Sequence, residues 1–428
     1  MENIREKEGM NVESCTLQEF LSDFELAITL MEKDAETLRQ ADLTLEQIRT
    51  PLLVIGDPGV GKTAGIKSII DAHNARPDKV HNFGFKIIRL GQKIVGDLDG
   101  LPVHDAIAGE VKRLPMADLP QAERDGEYGV LFLDELTSAD VQQIQPALGL
   151  ADSTRTIGTY KLPEHWLLVA AGNGDNCSNF VRLDDMTISR FAVYDVVTDY
   201  ATDWRPWAHA NKIDADILAY LNFRPDAFCK VISTDMDKTG KQFTSARTWT
   251  TLDAELKKRK LRATMLNKPM TDTEFKRICN ACIGAEVTRD FMAFLVYRSK
   301  LNYDPDKIIK GIEDAPREME KQSFHIILET CIKKLLDIRT KSPSDFVIAL
   351  ANLVTWLLQS PELDNKLSAC VELRNPLEEI NNAKTGLVAV DLMASDPTFA
   401  SLCPSWDEFI LNHAEFFMQN ASVLNGLG

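Results

Sequence analysis

A glycine-rich loop that directly follows a short apolar run constrains this chain more than any other stretch. Residues 52–55, Leu-Leu-Val-Ile, are apolar throughout, which is typical of a strand buried on both faces. The pattern Gly56-x-x-x-x-Gly61-Lys62-Thr63 follows at once and matches a phosphate-binding loop. Glycines let several backbone N–H groups approach phosphate oxygens, and a helix that starts near Lys62 would add the positive end of its dipole. The stretch therefore predicts a nucleotide site.

The side chains of this loop have distinct predicted tasks. The Lys62 ammonium is expected to bridge the β- and γ-phosphates of a nucleotide, and the Thr63 hydroxyl to coordinate Mg²⁺. A glycine-rich turn that binds nothing is the alternative interpretation of such a motif when it stands alone. The predicted nucleotide-binding residues are Gly56, Asp57, Pro58, Gly59, Val60, Gly61, Lys62 and Thr63.

Two carboxylates follow the next strong apolar run. Residues 129–133, Gly-Val-Leu-Phe-Leu, predict a central parallel strand, and Asp134 and Glu135 lie at its carboxyl end, where ligands of open α/β sheets bind. Asp134 is predicted to hold the Mg²⁺ shell, usually through water, and Glu135 to polarise an attacking water molecule. For this pattern alone, a strand that ends in a solvated acidic turn is the common alternative.

A polar residue also ends a third buried run. Residues 166–172 predict another buried strand, and Asn173 follows it. An asparagine amide donates and accepts hydrogen bonds together, so Asn173 can orient a water molecule. By itself, however, an asparagine after glycine is usually a turn residue.

Helical and extended patterns divide the rest of the chain. Residues 1–16 are expected to be frayed, whereas residues 17–31 show helical periodicity. The stretch 91–126 is rich in glycine, proline and aspartate, which leaves room for short hairpin arms. From Trp204 onward, helical patterns dominate. Helices are further predicted at 64–72 and 141–150, and β-like runs at 85–90 and 192–197.

Charge and composition narrow the classes of protein. Of the 428 residues, 44% are hydrophobic and 7% aromatic, which is typical of a globular chain of more than one domain. The net charge is −16, and an acidic surface is repelled by phosphate backbones, so nucleic acid is not the first candidate for a partner. One basic run, residues 257–262, could contact nucleic acid or an acidic partner, although such runs are more often the solvated C-terminal end of a helix.

The spacing of the cysteines does not favour a zinc site, and the length of the most apolar segment does not favour a membrane span. Eight cysteines are scattered, and the close pair Cys279-x-x-Cys282 lacks a second ligand pair, so buried core thiols are favoured over a metal or redox site. The first residues are polar and do not resemble a signal peptide. The most apolar segment, 347–358, is too short to span a bilayer and predicts a buried helix. We therefore expect a cytoplasmic protein.

The order of the motifs resembles that of the AAA+ ATPases, and specifically of their MoxR-type branch. The resemblance covers residues 45–300, and its motifs are specific in combination. It implies that residues 56–63 are Walker A, that Asp134 and Glu135 are Walker B with its catalytic glutamate, and that Asn173 is sensor 1. The phrases typical of the family are Leu90-Gly-Gln92, Gly100-Leu-Pro102, Arg155-Thr-Ile-Gly-Thr-Tyr-Lys-Leu-Pro163, Ala170-Ala-Gly-Asn173, Ile188-Ser-Arg190-Phe191, Trp204-Arg-Pro-Trp-Ala208 and Ser245-Ala-Arg247-Thr-Trp249.

The resemblance also gives two arginines a role. Arg190 lies where the family places an arginine finger that reaches the γ-phosphate in a neighbouring subunit, and Arg247 where it places sensor 2 of the lid. A planar, permanently charged guanidinium suits the stabilisation of phosphoryl charge. Without the family, an exposed ion-pair partner is the favoured role for each arginine.

An architecture follows from the same resemblance. The implied fold class is α/β, an AAA+ P-loop core with a parallel sheet flanked by helices, followed by an α-helical lid and an α-helical C-terminal region. Two inserted hairpins typical of the branch would lie within residues 96–116 and 152–163, and in a ring they would face the central pore and contact a client. The expected domains are an N-terminal helical segment (1–44), the core with its hairpins (45–199), the lid (200–300) and the C-terminal region (301–428).

The implied function is Mg²⁺-dependent ATP hydrolysis in a ring of identical subunits, expected to be a hexamer, that remodels or activates a protein partner. The likeness to MoxR relatives suggests that this partner carries a von Willebrand factor A domain and binds a metal. Two alternatives are a nucleic-acid motor or loader and a nucleotide-gated scaffold that does not hydrolyse. The residues alone leave open the client, the ring size and the choice between ATP and GTP, and 301–428 matches no named module.

Overall fold

The computed structural model describes residues 14–93, 97–105, 109–174, 181, 183–232, 242–301, 303–313, 321–359 and 397–413. The chain divides into two units, Met1–Asp199 and Tyr200–Gly428. A central sheet organises the first unit, and helices form most of the second.

One parallel sheet carries the first unit. Its six strands lie in the order β1-β10-β2-β9-β6-β3, and every neighbouring pair is parallel. The strands of this unit are β1 (Ser14–Thr16), β2 (Leu52–Gly56), β3 (Phe83–Arg89), β4 (Leu101–Asp105), β5 (Glu110–Leu114), β6 (Tyr128–Asp134), β7 (Thr156–Ile157), β8 (Tyr160–Lys161), β9 (His165–Gly172) and β10 (Ala192–Val197). The pairs β4–β5 and β7–β8 are antiparallel hairpins within the two predicted ranges, of which residues 96 and 106–108 lie outside the described part of the chain.

Helices cover both faces of this sheet. Alternate residues of β2 reach opposite sides, so Leu52 and Val54 share a core with the first and fourth helices, whereas Leu53 and Ile55 share one with the sixth. Because both faces are covered, the central strands are apolar throughout, and each fully buried large side chain stabilises the fold by roughly 1.5–3 kcal/mol. The helices are α1 (Leu17–Met31), α2 (Ala35–Gln40), α3 (Leu45–Ile48), α4 (Lys62–Ala75), α5 (Ala122–Asp125), α6 (Val141–Ala151) and α7 (Asp185–Ile188).

The predicted α/β fold class is confirmed, and one local prediction is wrong. Residues 14–16 are not frayed, because β1 pairs with β10 and the Ser14 hydroxyl donates to Asp195 Oδ2 at 3.0 Å. Thr16 then starts α1 with a capping box, in which its side chain accepts from the backbone of Glu19. Long-range pairing overrides the weak local pattern here. Residues 1–13 lie outside the described part of the chain.

Helices dominate the second unit, as predicted. Among the residues of this unit that the structure describes, one short antiparallel pair of strands also occurs, β11 (Val231–Ile232) and β12 (Gln242–Phe243). The predicted buried segment 347–358 lies within α15 and packs in an apolar core. The helices are α8 (Arg205–Ala210), α9 (Ala215–Phe223), α10 (Ala246–Leu266), α11 (Asp272–Ile283), α12 (Ala285–Ser299), α13 (Pro305–Ile309), α14 (Lys321–Lys341), α15 (Pro343–Gln359), α16 (Pro397–Leu402) and α17 (Ser405–Asn412).

A buried ion cluster attaches α14 to α8 and α9. Glu329 of α14 is fully buried and accepts from Arg205 Nε at 2.8 Å, and its second oxygen lies 3.3 Å from His209 Nε2. The Asn222 amide of α9 donates to the same carboxylate. Burial by itself raises the pKa of Glu329, but the Arg205 charge and the contact with His209 outweigh this and hold the pKa below its ordinary value. The carboxylate is therefore ionised and fixed.

The close cysteine pair lies in a core, as expected. Cys279 of α11 is fully buried, and burial raises the pKa of its thiol to about 12. Burial also raises the pKa of the Cys282 thiol. Neutral thiols are poor metal ligands and nucleophiles, which favours a structural role. Among the residues that the structure describes, no helix is long and apolar enough to cross a membrane.

Candidate functional site

The loop between β2 and α4 has the backbone geometry of an anion site. Gly59 and Gly61 have φ values of 82° and 108°, in the left-handed region that favours glycine. Gly61 is also the N-cap of α4 and has no side chain with which to cap this helix. Its first N–H groups and the positive end of its dipole are therefore available to an anion in the loop. A Cβ at Gly56 would lie 2.6 Å from the carbonyl oxygen of Val196, so glycine is also required where the loop begins.

Lys62 lies inside this loop. The residue is 8% exposed, and its ammonium donates to the carbonyl oxygens of Gly56 at 2.7 Å and Asp57 at 3.0 Å. Val60 is buried and Pro58 is half-buried, which fixes the loop against the core. The ammonium is thus held by backbone groups of the loop, at the position from which it can contact a bound phosphate.

The side chains of Thr63 and Asp134 meet at the edge where the parallel strands end. The Thr63 hydroxyl donates to Asp134 Oδ2 at 3.4 Å. A hydroxyl beside a carboxylate suits Mg²⁺, which takes oxygen ligands, retains several waters and needs few protein ligands when a phosphate is present. The residues therefore fit a Mg²⁺ ion bound together with a phosphate.

Glu135 has an unusual backbone conformation, with φ 62° and ψ 32°. This left-handed geometry costs a residue other than glycine roughly 1–2 kcal/mol. The Glu135 N–H donates to Asp134 Oδ1 at 3.0 Å. Its carboxylate lies against Gly91, where a Cβ would be 2.8 Å from Glu135 Oε2. Gly91 thus lies beside the Glu135 carboxylate. The sequence alone does not assign it this place, because its proximity to Glu135 depends on the pairing of β3 with β6.

Asn173 lies at the same edge of the sheet. It follows β9, the strand between β2 and β6, so the parallel order brings it beside the loop and Asp134. The Asn173 N–H donates to Thr137 Oγ1 at 2.7 Å, and the same hydroxyl donates to the Asn173 carbonyl oxygen at 3.0 Å. Thr137 is the second residue of this edge that sequence reasoning missed.

The structure does not bring Arg190 to this edge. Arg190 precedes β10, whose first residue Ala192 pairs with Leu52 at the start of β2, so Arg190 lies at the edge where the strands begin. Its guanidinium donates from Nε to Asp152 Oδ1 at 2.5 Å and from Nη1 to the Met186 carbonyl oxygen at 2.6 Å. Arg190 is therefore held at the edge of the sheet opposite to the loop between β2 and α4.

Arg247 belongs to the second unit. It is the second residue of α10, directly after the N-cap Ser245 and Ala246, and its side chain is exposed. The assignment of Arg247 as sensor 2 stays a prediction.

The hairpin β4–β5 exposes apolar side chains. Leu101, Val111 and Leu114 are 74%, 65% and 56% exposed. An isolated two-stranded hairpin is marginally stable in water, and this one is tied to the second hairpin by the Thr159 hydroxyl, which donates to the Arg113 carbonyl oxygen at 2.9 Å. An exposed apolar surface of this kind is typical of a partner-binding site.

Comparisons with known proteins add two solved structures. No family model and no curated protein matches the sequence. The crystal structure of a candidate ATPase from Cytophaga hutchinsonii is similar, with 14% identity and a TM-score of 0.24, over 64% of this chain and 95% of that one. NtrX from Brucella abortus, crystallised with ADP, is similar with 14% identity and a TM-score of 0.29, over 79% of this chain and 66% of that one.

Proposed function

We propose that this chain is a Mg²⁺-dependent ATPase of the AAA+ type, similar to MoxR proteins, that works in a ring and remodels or activates a protein partner. One observation carries the proposal: the Thr63 hydroxyl contacts the Asp134 carboxylate beside a helix start that has no side-chain cap. Phosphate donors and Mg²⁺ ligands thereby lie at one edge of the sheet.

Each residue of this edge has a task in the proposed reaction. The loop N–H groups and Lys62 bind the phosphates, and Thr63 and Asp134 would hold Mg²⁺, which would supply charge neutralisation at the phosphate oxygens. Glu135 polarises the attacking water and accepts its proton, and Asn173 orients that water. The left-handed backbone of Glu135 supports this role, because such strain is retained where the surrounding contacts fix it.

A ring of identical subunits completes the proposed site. Arg190 lies at the opposite edge of the sheet from Lys62, so a neighbouring subunit is the better supplier of a guanidinium to the γ-phosphate. Cyclic symmetry lets every subunit give and receive one such group, and a hexamer is the ring that we propose. Arg247 acts as sensor 2 in this proposal.

The proposed client is a protein. The exposed apolar side chains of β4–β5, Leu101, Val111 and Leu114, support contact with a polypeptide. The resemblance to MoxR proteins suggests a client with a von Willebrand factor A domain.

The basic run at 257–262 gives no support to the nucleic-acid alternative. Carboxylates beside these cations offset the positive potential that would attract a phosphate backbone. Every cation of this run is paired with a carboxylate of the same unit, which also agrees with a solvated helix face in the second half of α10. The pairs are Lys257–Asp253, Lys258–Glu255, Arg259–Glu274, Lys260–Asp214 and Arg262–Glu274.

The test is ATP hydrolysis by the purified chain and by its Glu135→Gln variant. The wild-type protein should hydrolyse ATP only with Mg²⁺. Glu135→Gln should retain ATP binding but lose roughly two or more orders of magnitude in turnover, because the amide cannot accept the water proton. Release of phosphate and binding of labelled ATP measure the two effects separately.

Glu36→Gln is the matched control, since Glu36 is exposed on α2 and makes the same change of charge. Its turnover should equal that of the wild-type protein. A wild-type protein that turns over no ATP with Mg²⁺, at any protein concentration, would contradict the proposed function. Near-normal turnover of Glu135→Gln would remove Glu135 from the role of base.

A further inference from the structure

Thr137 joins the turn that carries Glu135 to the strand end that carries Asn173. The Ser138 N–H donates to the Glu135 carbonyl oxygen at 3.0 Å, which closes a tight turn with Thr137 inside it. Thr137 is fully buried. Its hydroxyl accepts from the Asn173 N–H at 2.7 Å and donates to the Asn173 carbonyl oxygen at 3.0 Å. The Thr137 hydroxyl thus donates one hydrogen bond to the backbone of Asn173 and accepts another from it.

Two further contacts fix the orientation of Thr137. Its carbonyl oxygen accepts from the Val181 N–H at 2.7 Å. Its methyl group lies over Gly172, where a Cβ would be 2.5 Å from Thr137 Cγ2. Glycine at 172 therefore lets the threonine approach β9 closely enough for both hydrogen bonds.

The Thr137 side chain connects the two groups that face the water in the proposed reaction. Glu135 lies two residues before Thr137, and Asn173 is the residue that Thr137 binds. Removal of the hydroxyl would leave a backbone N–H and a carbonyl oxygen without their partner, so the end of β9 would shift relative to β6. Small displacements of groups that position a reactant lower the rate strongly, whereas the loop that binds the phosphates makes no contact with Thr137 in the hydrogen bonds above.

We infer that Thr137 is a positioning residue that sets the spacing between Glu135 and Asn173, so that turnover depends on its hydroxyl and nucleotide affinity does not. This inference rests on the proposed function. A threonine that only fills the core would affect stability alone.

The experiment compares Thr137→Val, which keeps the shape and removes the hydroxyl, with Thr137→Ser, which keeps the hydroxyl. Thr137→Val should lower kcat by roughly tenfold to a hundredfold, with KM and ADP affinity changed less than about twofold. Thr137→Ser should restore most of kcat. Hydrogen exchange of the Asn173 N–H should become faster in Thr137→Val and not in Thr137→Ser.

Thr244→Val is the matched control in the second unit. Thr244 is also buried, and its hydroxyl also bridges two backbone groups, as it accepts from the Lys230 N–H at 2.8 Å and donates to the Ala227 carbonyl oxygen at 2.7 Å. Its replacement should lower the thermal midpoint of unfolding without lowering kcat. Should Thr137→Val not fold, Thr137→Ala carries the same expectation, because it removes the hydroxyl and cannot clash.

The two levels of failure are distinguishable. A wild-type protein without ATP hydrolysis overturns the proposed function. A folded Thr137→Val protein whose kcat equals that of the wild type, or a Thr137→Ser protein as slow as Thr137→Val, overturns only the role of Thr137.

Discussion

Two carboxylates, Asp134 and Glu329, both lie where several elements meet, yet their surroundings differ. Glu329 is fully buried and is held by Arg205 and a histidine of α8. Asp134 is half-buried and accepts hydrogen bonds from two neutral donors, the Thr63 hydroxyl and the Glu135 N–H. A carboxylate that is neutralised by buried cations belongs to the scaffold, whereas one with neutral partners can still bind a cation. The partners of a carboxylate therefore separate the two roles.

Arg190 is a third charged side chain, and its ion pair can be broken at little cost in free energy. Its pair with Asp152 is partly exposed, and such surface pairs contribute about 0–1 kcal/mol, so release is inexpensive. Arg190→Ala should lower turnover by about 10³ or more and keep ATP affinity, because a finger stabilises only the transferring phosphoryl group. This is the largest effect that we expect, and phosphate release with parallel ATP binding measures it.

Mixing decides whether Arg190 acts on a neighbour. Subunits with Arg190→Ala keep Glu135, and subunits with Glu135→Gln keep Arg190. A mixture should recover part of the turnover that neither variant has alone. If no mixing ratio restores turnover, Arg190 does not act on a neighbouring subunit. It then acts within its own subunit or only stabilises the fold.

Exchanging each carboxylate for its amide tests the central comparison directly. Asp134→Asn should lower turnover by roughly 10²-fold or more and weaken its dependence on Mg²⁺, with little change in unfolding free energy. Glu329→Gln should lower the free energy of unfolding by about 3–5 kcal/mol, because it removes the carboxylate charge that is buried against the Arg205 guanidinium. Urea unfolding and ATP turnover of both variants measure this double difference.

The comparison fails if the two variants behave alike. A loss of stability in Asp134→Asn as large as that in Glu329→Gln would make Asp134 part of the scaffold. Full stability of Glu329→Gln would show that the buried cluster contributes nothing net.

Acid should have the smallest effect. The pKa of Glu329 is lowered in the folded chain, so its stabilisation is present above its ordinary pKa of about 4.5 and is lost as the pH falls from there toward the folded pKa. The unfolding free energy of the wild-type protein should therefore decrease below about pH 4.5 more steeply than that of Glu329→Gln. Equal slopes in urea titrations would contradict a lowered pKa at this residue.

The parts of the fold that sequence predicts are those with local causes. The runs at 129–133 and 166–172 are apolar because their strands are buried on both faces, and each is a strand as expected. The helix at 17–31 follows its three-four spacing from end to end. Parallel strands end at one edge, so Asp134 and Asn173 come together without further information from the sequence.

The parts that sequence did not predict depend on partners far along the chain. Residues 14–16 become a strand only by pairing with β10. Thr137 and Asn173 are separated by 36 positions in the sequence. Gly91 belongs to the site only because the Glu135 carboxylate lies against it. Neither contact produces a periodic pattern in the sequence, because each depends on a single side chain at a turn. The assignments of Arg190 and Arg247 came from resemblance and stay predictions.

The ion pair between α14 and α8 determines which truncated fragments of this chain keep their buried charges balanced. Arg205 and Glu329 are 124 positions apart, and a fragment that stops at residue 300 would keep the guanidinium while losing the carboxylate that balances it. The apolar core of residues 200–300 would also lose Ile326, which packs in it. A recombinant fragment of the helical half therefore has to include α14 and also α15, against which other buried residues of α14 pack.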